Sequence, residues 1–158
     1  MRLLLLIFFF GVCSIHFSHA FTESEKQTDS ITQSVNRYNR GFINEDFELI
    51  RNAIGSHLTM INGNFSGELK DWQAHQFLNE GEIDAWIEMM LINAKPFENN
   101  IDFKNVHVRG NSAIVVTQEK GKNKFRYWER EQVAYLLGRI AKEWKIVGIF
   151  IKNLKNPE

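Results

Sequence analysis

The stretch from Val106 to Leu154 constrains this chain more than any other. It reads as three consecutive strands joined into an antiparallel meander, with breaks at Gly110-Asn111, at the KGKN run from Lys120, and at Lys142-Glu143. Each run is rich in Val, Ile and aromatic residues, and Gly or Asn at the first two breaks supplies the positive φ that hairpin turns need. Three strands cannot close a core alone, so one face must be covered by something apolar. The preceding helices are the available cover.

Those helices follow from apolar spacing. Ile31, Val35, Tyr38 and Phe42 recur at steps of four, three and four, with Gly41 near the end of the helix they define. Asn44-Glu45-Asp46 offers a cap for a second helix carrying Phe47, Ile50, Ile54 and Leu58, with Gly55 as its stop. From Ser56 the pattern changes, and His57 to Asn64 reads as extended. Ser66 to Leu78 fits either a helix capped by Ser66 or a strand over WQAHQFL. A third helix covers Glu80 to Asn93, where Ile83, Trp86 or Ile87, and Met90 share a face and Pro96 prevents continuation. Ile101 and Phe103 alternate in one phase and Val106 and Val108 in the other, so a β-bulge is expected between them.

The first twenty residues lie outside that pattern. Arg2, the apolar run Leu3 to Phe10 and the small residues Ser18 and Ala20 form a secretory signal, with cleavage expected near Ala20. The run is too short for a permanent membrane span. An acylated Cys13 is the competing expectation, and the residues before it match that site poorly. Cys13 is the only cysteine, so the processed chain of about 138 residues holds no disulfide and must be stabilised by packing in one domain. Residues 21–30 read as a flexible lead-in, and 31–154 as the folded domain.

Composition narrows the partners. The 19 basic and 19 acidic residues balance, so no broad electrostatic field points to nucleic acid or to an anionic membrane, and Lys120, Lys122 and Lys124 read as a solubilised hairpin tip. Thirteen Phe and four Trp suit a large core or an aromatic-lined cavity. His57, His75 and His107 show no metal-ligand spacing, and there is no cysteine nucleophile, Gly-x-Ser-x-Gly elbow or Gly-rich phosphate loop. No metal and no cofactor is expected. Asn64-Phe65-Ser66 is a glycosylation sequon.

Arg37-Tyr38-Asn39, Asn44-Glu45-Asp46-Phe47, Arg109-Gly110-Asn111-Ser112-Ala113 and Glu143-Trp144-Lys145-Ile146-Val147, in this order of elements, resemble the nuclear transport factor 2-like superfamily over Ile31 to Leu154. That superfamily includes ketosteroid isomerases, polyketide-cyclase-like proteins and secreted bacterial members. The resemblance implies an α+β fold, a cone-shaped, strongly bent antiparallel sheet wrapped around about three N-terminal helices, with an apolar pocket at one end. It implies a site lined by Tyr38, Asn62, Trp86, Met90, Val133, Tyr135, Ile146, Gly148 and Phe150, binding a small apolar or amphipathic molecule. It also implies a homodimer paired through the outer sheet face, where Trp128 is either an exposed stacking surface or a dimer contact.

The isomerases divide their chemistry between oxyanion donors and a carboxylate base. Tyr38 falls where the helix-one Tyr falls, and Glu131 near the acid, whereas Asn62 stands where the base belongs and cannot take a proton at neutral pH. Tyr38 packing on the sheet is an equal alternative, and for Glu131 and Glu129 a solvated charge ladder is the alternative. The leading expectation is an exported binding domain without established catalysis. An isomerase, dehydratase or cyclase using Tyr38 with Glu131 or Asp71, and a structural dimer module, remain open beside it.

Overall fold

A computed structural model describes residues 24–63, 72–125 and 127–153, without side chains at 62–63, 72–75 and 153. The expected signal segment, Asp71, the sequon and the side chains of Asn62 and His75 lie outside the described residues. Among those described, no helix is long and apolar enough to cross a membrane. Backbone contacts divide the chain after Ser30. Residues 24–30, within the expected lead-in, are helical, with Thr28 Oγ1 donating to the Ser24 carbonyl at 3.0 Å and Ser30 Oγ to that of Gln27 at 2.9 Å.

From Ile31 onward the chain is α+β. Helix α1 covers 31–44 of this unit, followed by α2 (Phe47–Ala53), β1 (Ile54–Gly63), β2 (Trp72–Leu78), α3 (Glu80–Asn93), β3 (Glu98–Arg109), β4 (Ser112–Lys122), β5 (Tyr127–Ile140) and β6 (Glu143–Asn153). Ile31, Val35 and Phe42 form the buried face of α1, as their spacing requires. Gly41 lies in the last turn of this helix, near its end as the sequence placed it. A Cβ there would stand 2.4 Å from Ile50 Cγ1 and 2.9 Å from the Ile50 nitrogen, so glycine lets α1 and α2 cross closely. The helix stops at Glu45, whose φ is 58°.

Asp46 caps α2 by accepting from the Leu49 N–H at 2.9 Å. The helix ends at Ala53, earlier than the spacing of Ile54 and Leu58 suggested, because both belong to β1. Asn79 and Glu82 make a reciprocal capping box at the start of α3. Ile83, Trp86 and Ile87 on α3 then join Ile50, Leu58, Val115, Leu137 and Ile146 in the core. Fully burying one such aliphatic side chain contributes about 1.5–3 kcal/mol. The buried Ser34 hydroxyl donates to the Trp144 carbonyl at 2.7 Å, tying α1 to the start of β6.

The sheet has six strands in the order β2-β1-β6-β5-β4-β3. The meander has four strands rather than three, because the two alternating pairs before Gly110 form one long β3. The sheet is mixed rather than antiparallel throughout, since β1 runs parallel to β6. WQAHQFL is the strand β2. The turn between β5 and β6 uses Ala141 and Lys142, at φ 48° and 71°, without Gly or Asn.

Bulges reset the faces of the sheet. The register of β3 on β4 skips Lys104, between Phe103 opposite Thr117 and Asn105 opposite Val116, where the phase change in sequence placed it. Between β4 and β5, Glu119 faces Glu131 and Gly121 faces Trp128, so Glu129 and Arg130 together oppose Lys120. Between β5 and β6, Leu137 faces Ile146 and Leu136 faces Gly148, leaving Val147 as the extra residue.

This last bulge corrects the expected lining. Beyond Val147 the inward residues are Ile149 and Ile151, opposite Tyr135 and Val133, whereas Gly148 and Phe150 share the other face with Leu136 and Ala134. A Cβ on Gly148 would meet Phe150 Cε2 at 3.2 Å and Leu136 Cβ at 3.4 Å, as neighbours on that face do.

Candidate functional site

Two strict alternations build the site. On β4 the buried residues are Ala113, Val115, Thr117 and Glu119; on β5, past the bulge that follows buried Trp128, they are Glu131, Val133, Tyr135 and Leu137. Val115 pairs with Tyr135, Thr117 with Val133 and Glu119 with Glu131. Two carboxylates therefore face each other across one rung on the inner side of the sheet, Glu119 only 4% exposed and Glu131 only 2%. Burying such groups is expensive unless they are hydrogen-bonded.

Glu119 is held by neutral donors. The Tyr135 hydroxyl and the Thr117 hydroxyl each donate to its Oε1 at 2.8 Å, and Asn99 Nδ2 donates to its Oε2 at 2.6 Å. Thr117 Oγ1 also reaches the Val133 carbonyl at 3.3 Å. Asn99 is fixed in turn: Nδ2 donates to Asn39 Oδ1 at 3.0 Å, and Oδ1 accepts from Trp128 Nε1 at 3.1 Å. The network links α1, β3, β4 and β5 through one carboxylate.

Aromatic rings surround it. Tyr38 meets Tyr135 edge-on at 6.1 Å and Phe42 at 5.1 Å, Phe42 meets Trp86 at 5.8 Å, and Phe97 lies 5.8 Å from Trp128. Burial, and then the charge of Glu119, push the hydroxyls of both Tyr38 and Tyr135 well above their ordinary range. Both remain proton donors at neutral pH. The network thus gathers tyrosine hydroxyls and a carboxylate among aromatic rings, residue types that can orient a polar group or move a proton.

The raised tyrosines make a pH prediction. In the unfolded chain a tyrosine loses its proton near pH 10. The folded state holds these two protons at higher pH, so it binds more protons than the unfolded state there. Their contribution is complete below about pH 10 and declines as pH rises toward the folded values, by up to about 1.4 kcal/mol per pH unit for each group. Denaturant unfolding between pH 9 and 12 is expected to show this decline, shallower in Tyr135→Phe. A flat profile in that range contradicts the buried-hydroxyl arrangement.

The residues expected from sequence separate into groups. Tyr38, Trp86, Met90, Val133, Tyr135 and Ile146 pack in or against the core on the inner side of the sheet. Gly148 and Phe150 do not, for the reason of the Val147 bulge. Trp128 is not an exposed stacking surface: the extra residue at Glu129-Arg130 turns it inward, to 6% exposure. Glu131 is not part of a solvated ladder, whereas Glu129 is, pairing with Lys120 at 3.1 Å. Arg130 and Gln132 are exposed.

Glu119, Asn99, Thr117 and Asn39 were not anticipated. Alternation from Val115 was the signal that could have found Glu119, since it lies in phase with that apolar residue. Among the described residues, no group of three or more His, Cys, Asp or Glu is placed to hold a metal ion.

No protein-family model matches this chain. No curated protein matches it either. Solved structures do. A nuclear transport factor 2-like protein of unknown function from Shewanella baltica is 15% identical, with 83% of this chain and 96% of that chain covered at a TM-score of 0.57. Another from Shewanella oneidensis is 17% identical, with 80% and 98% covered at 0.60. A ketosteroid isomerase-like protein from Erwinia carotovora is 12% identical, with 81% and 96% covered at 0.60. At these identities the likeness is one of fold.

Proposed function

We propose, for a chain with the nuclear transport factor 2-like fold, that it is an exported domain binding a small apolar or amphipathic molecule at the Glu119–Tyr135 centre. The supporting observation is the Glu119 carboxylate, buried on the inner side of the sheet and addressed by three neutral donors among aromatic rings. Core packing alone gains nothing from an acid at this place, since an apolar residue of like volume removes the desolvation cost. In this reading Tyr38 and Tyr135 fix the polar end of the ligand, while Trp86, Met90, Val133 and Ile146 line its apolar part.

Native mass spectrometry of the chain recovered from its own source compartment tests the reading. The expected result is a processed chain beginning at Phe21 that carries extra mass, lost on denaturation. A chain mass with nothing added contradicts the ligand, and a mass that still includes residues 1–20 contradicts export.

A second reading, an isomerase, dehydratase or cyclase, is favoured by the Tyr135 hydroxyl at 2.8 Å from a carboxylate, with Tyr38 beside it. There Glu119 or Glu131 would move the proton and Tyr38 would donate to the substrate oxygen. The same proposal includes a homodimer through the outer sheet face. A rung of Phe77, Thr59, Gly148, Leu136, Ile114 and His107 crosses all six strands there, with Phe77 and Ile114 exposed.

A further inference from the structure

The buried carboxylate at the centre of the network keeps an acceptor position that its neighbours do not fill. Glu119 Oε1 accepts from both the Tyr135 and the Thr117 hydroxyls, whereas Oε2 accepts from Asn99 Nδ2 alone. A carboxylate offers about four acceptor positions, two on each oxygen, so Oε2 retains one. Asn99 cannot take it, because its other N–H is directed to Asn39 and its oxygen to Trp128.

Its charge is unmatched as well. All three donors are neutral, and among the described residues no Lys, Arg or His is ion-paired to Glu119. Glu131, opposite it on the rung, has the same sign. A carboxylate only 4% exposed is costly without a counter-charge, so a positive group brought to it is strongly favoured.

The edge of the sheet gives such a group an approach. Ile101 pairs with Glu119 and Phe103 with Thr117, so both apolar side chains stand beside the network on the same face. Strand β3 is the outermost of its side of the sheet, and Asn99, Ile101 and Phe103 on it are half-buried, as are Tyr38 and Phe97. The inner face is therefore only partly covered at the rung of Glu119. The rings nearby add to the attraction for a cation, since aromatic faces carry negative potential: Tyr38 lies 6.1 Å from Tyr135 and Phe97 lies 5.8 Å from Trp128.

We infer that the molecule bound at this centre is an alkyl amine, its ammonium donating to Glu119 Oε2 and its hydrocarbon part leaving past Ile101 and Phe103 at the β3 edge. The inference rests on the binding reading above and names the chemical class of its ligand. A neutral alcohol can make the hydrogen bond without offsetting the charge, and an anionic ligand is repelled.

Calorimetric titration of the chain at neutral pH with octylamine, octanol and octanoate, three probes of equal chain length, tests the class. Octylamine is expected to bind about tenfold tighter than octanol, the scale by which a charge-assisted hydrogen bond exceeds a neutral one, and octanoate not to bind. In Glu119→Gln the preference for amine over alcohol should fall to within about twofold. A general loss of packing weakens both probes together and leaves their ratio unchanged. The comparison on the parent chain decides the class whether or not the variant folds. Equal affinities, or tighter binding of octanol or octanoate, overturn the amine and leave the binding reading intact. An amine preference retained in folded Glu119→Gln overturns Glu119 as its seat. Failure of all three probes to bind overturns the amine as well; added mass in the native spectrum then keeps the binding reading, and its absence removes both.

Discussion

Gly121→Ala is expected to lower stability by about 3 kcal/mol or more, at the upper end of what overpacking costs. A methyl at this position would lie 2.1 Å from the Glu98 carbonyl oxygen, 2.7 Å from Trp128 Cζ2 and 2.9 Å from its Cε2. None of these atoms is free to move. The Glu98 carbonyl belongs to the β3–β4 ladder, and the Trp128 ring is held against Phe97 with its nitrogen on Asn99. Thermal unfolding would show the loss as a fall in Tm of roughly 10 °C. A Tm within about 2 °C of the parent would mean that Trp128 is not packed across this glycine.

The second large effect belongs to Glu119. Glu119→Ala is expected to cost about 2–4 kcal/mol, mainly because the buried Tyr135 hydroxyl loses its acceptor. Thr117 retains the Val133 carbonyl and Asn99 retains Asn39, so their losses are smaller. Adding Tyr135→Phe removes the orphaned hydroxyl, and the double variant should recover part of the loss. Denaturant titrations of both single variants and the double variant test this. If Glu119→Ala is neutral, or the double variant loses the sum of the two, Glu119 is not the acceptor at the centre of the network. Glu119→Gln keeps the volume and sets its amide against Asn99 Nδ2, a donor facing a donor. It should fall between the parent and the alanine variant.

Much of the fold was legible because most elements carry a phase. The face of α1 follows from Ile31, Val35 and Phe42, and the Lys104 bulge from the change of alternation before Val106. The errors occur where phase is absent. In IVGIFI every position is apolar or glycine, so the extra residue at Val147 leaves no mark in the pattern, and Gly148 and Phe150 change faces unseen. In WERE the charges suggested a solvated strand, yet the bulge at Glu129-Arg130 turns both Trp128 and Glu131 inward.

Glu119 was missed for a different reason. Its alternation with Val115 and Thr117 was visible, but a carboxylate ordinarily marks the wet face of a strand. The donors that make its burial tolerable come from Asn99, twenty residues earlier, and Tyr135, sixteen later. No local window contains them together, so the site becomes readable only when the ladders set these strands side by side.

The strand order has a consequence for when the molecule can assemble. β6, the last of the described strands in chain order, lies between β1 and β5, and among those strands it alone joins the β1–β2 pair to the meander. Until it emerges, a growing chain holds two separate pieces of sheet with their central edges open. The long separation between Ile54 and its partner Ile146 makes closure a late, non-local event. Completion of this sheet therefore waits on the synthesis of β6, and a chain passed through a membrane before that point travels without its finished sheet.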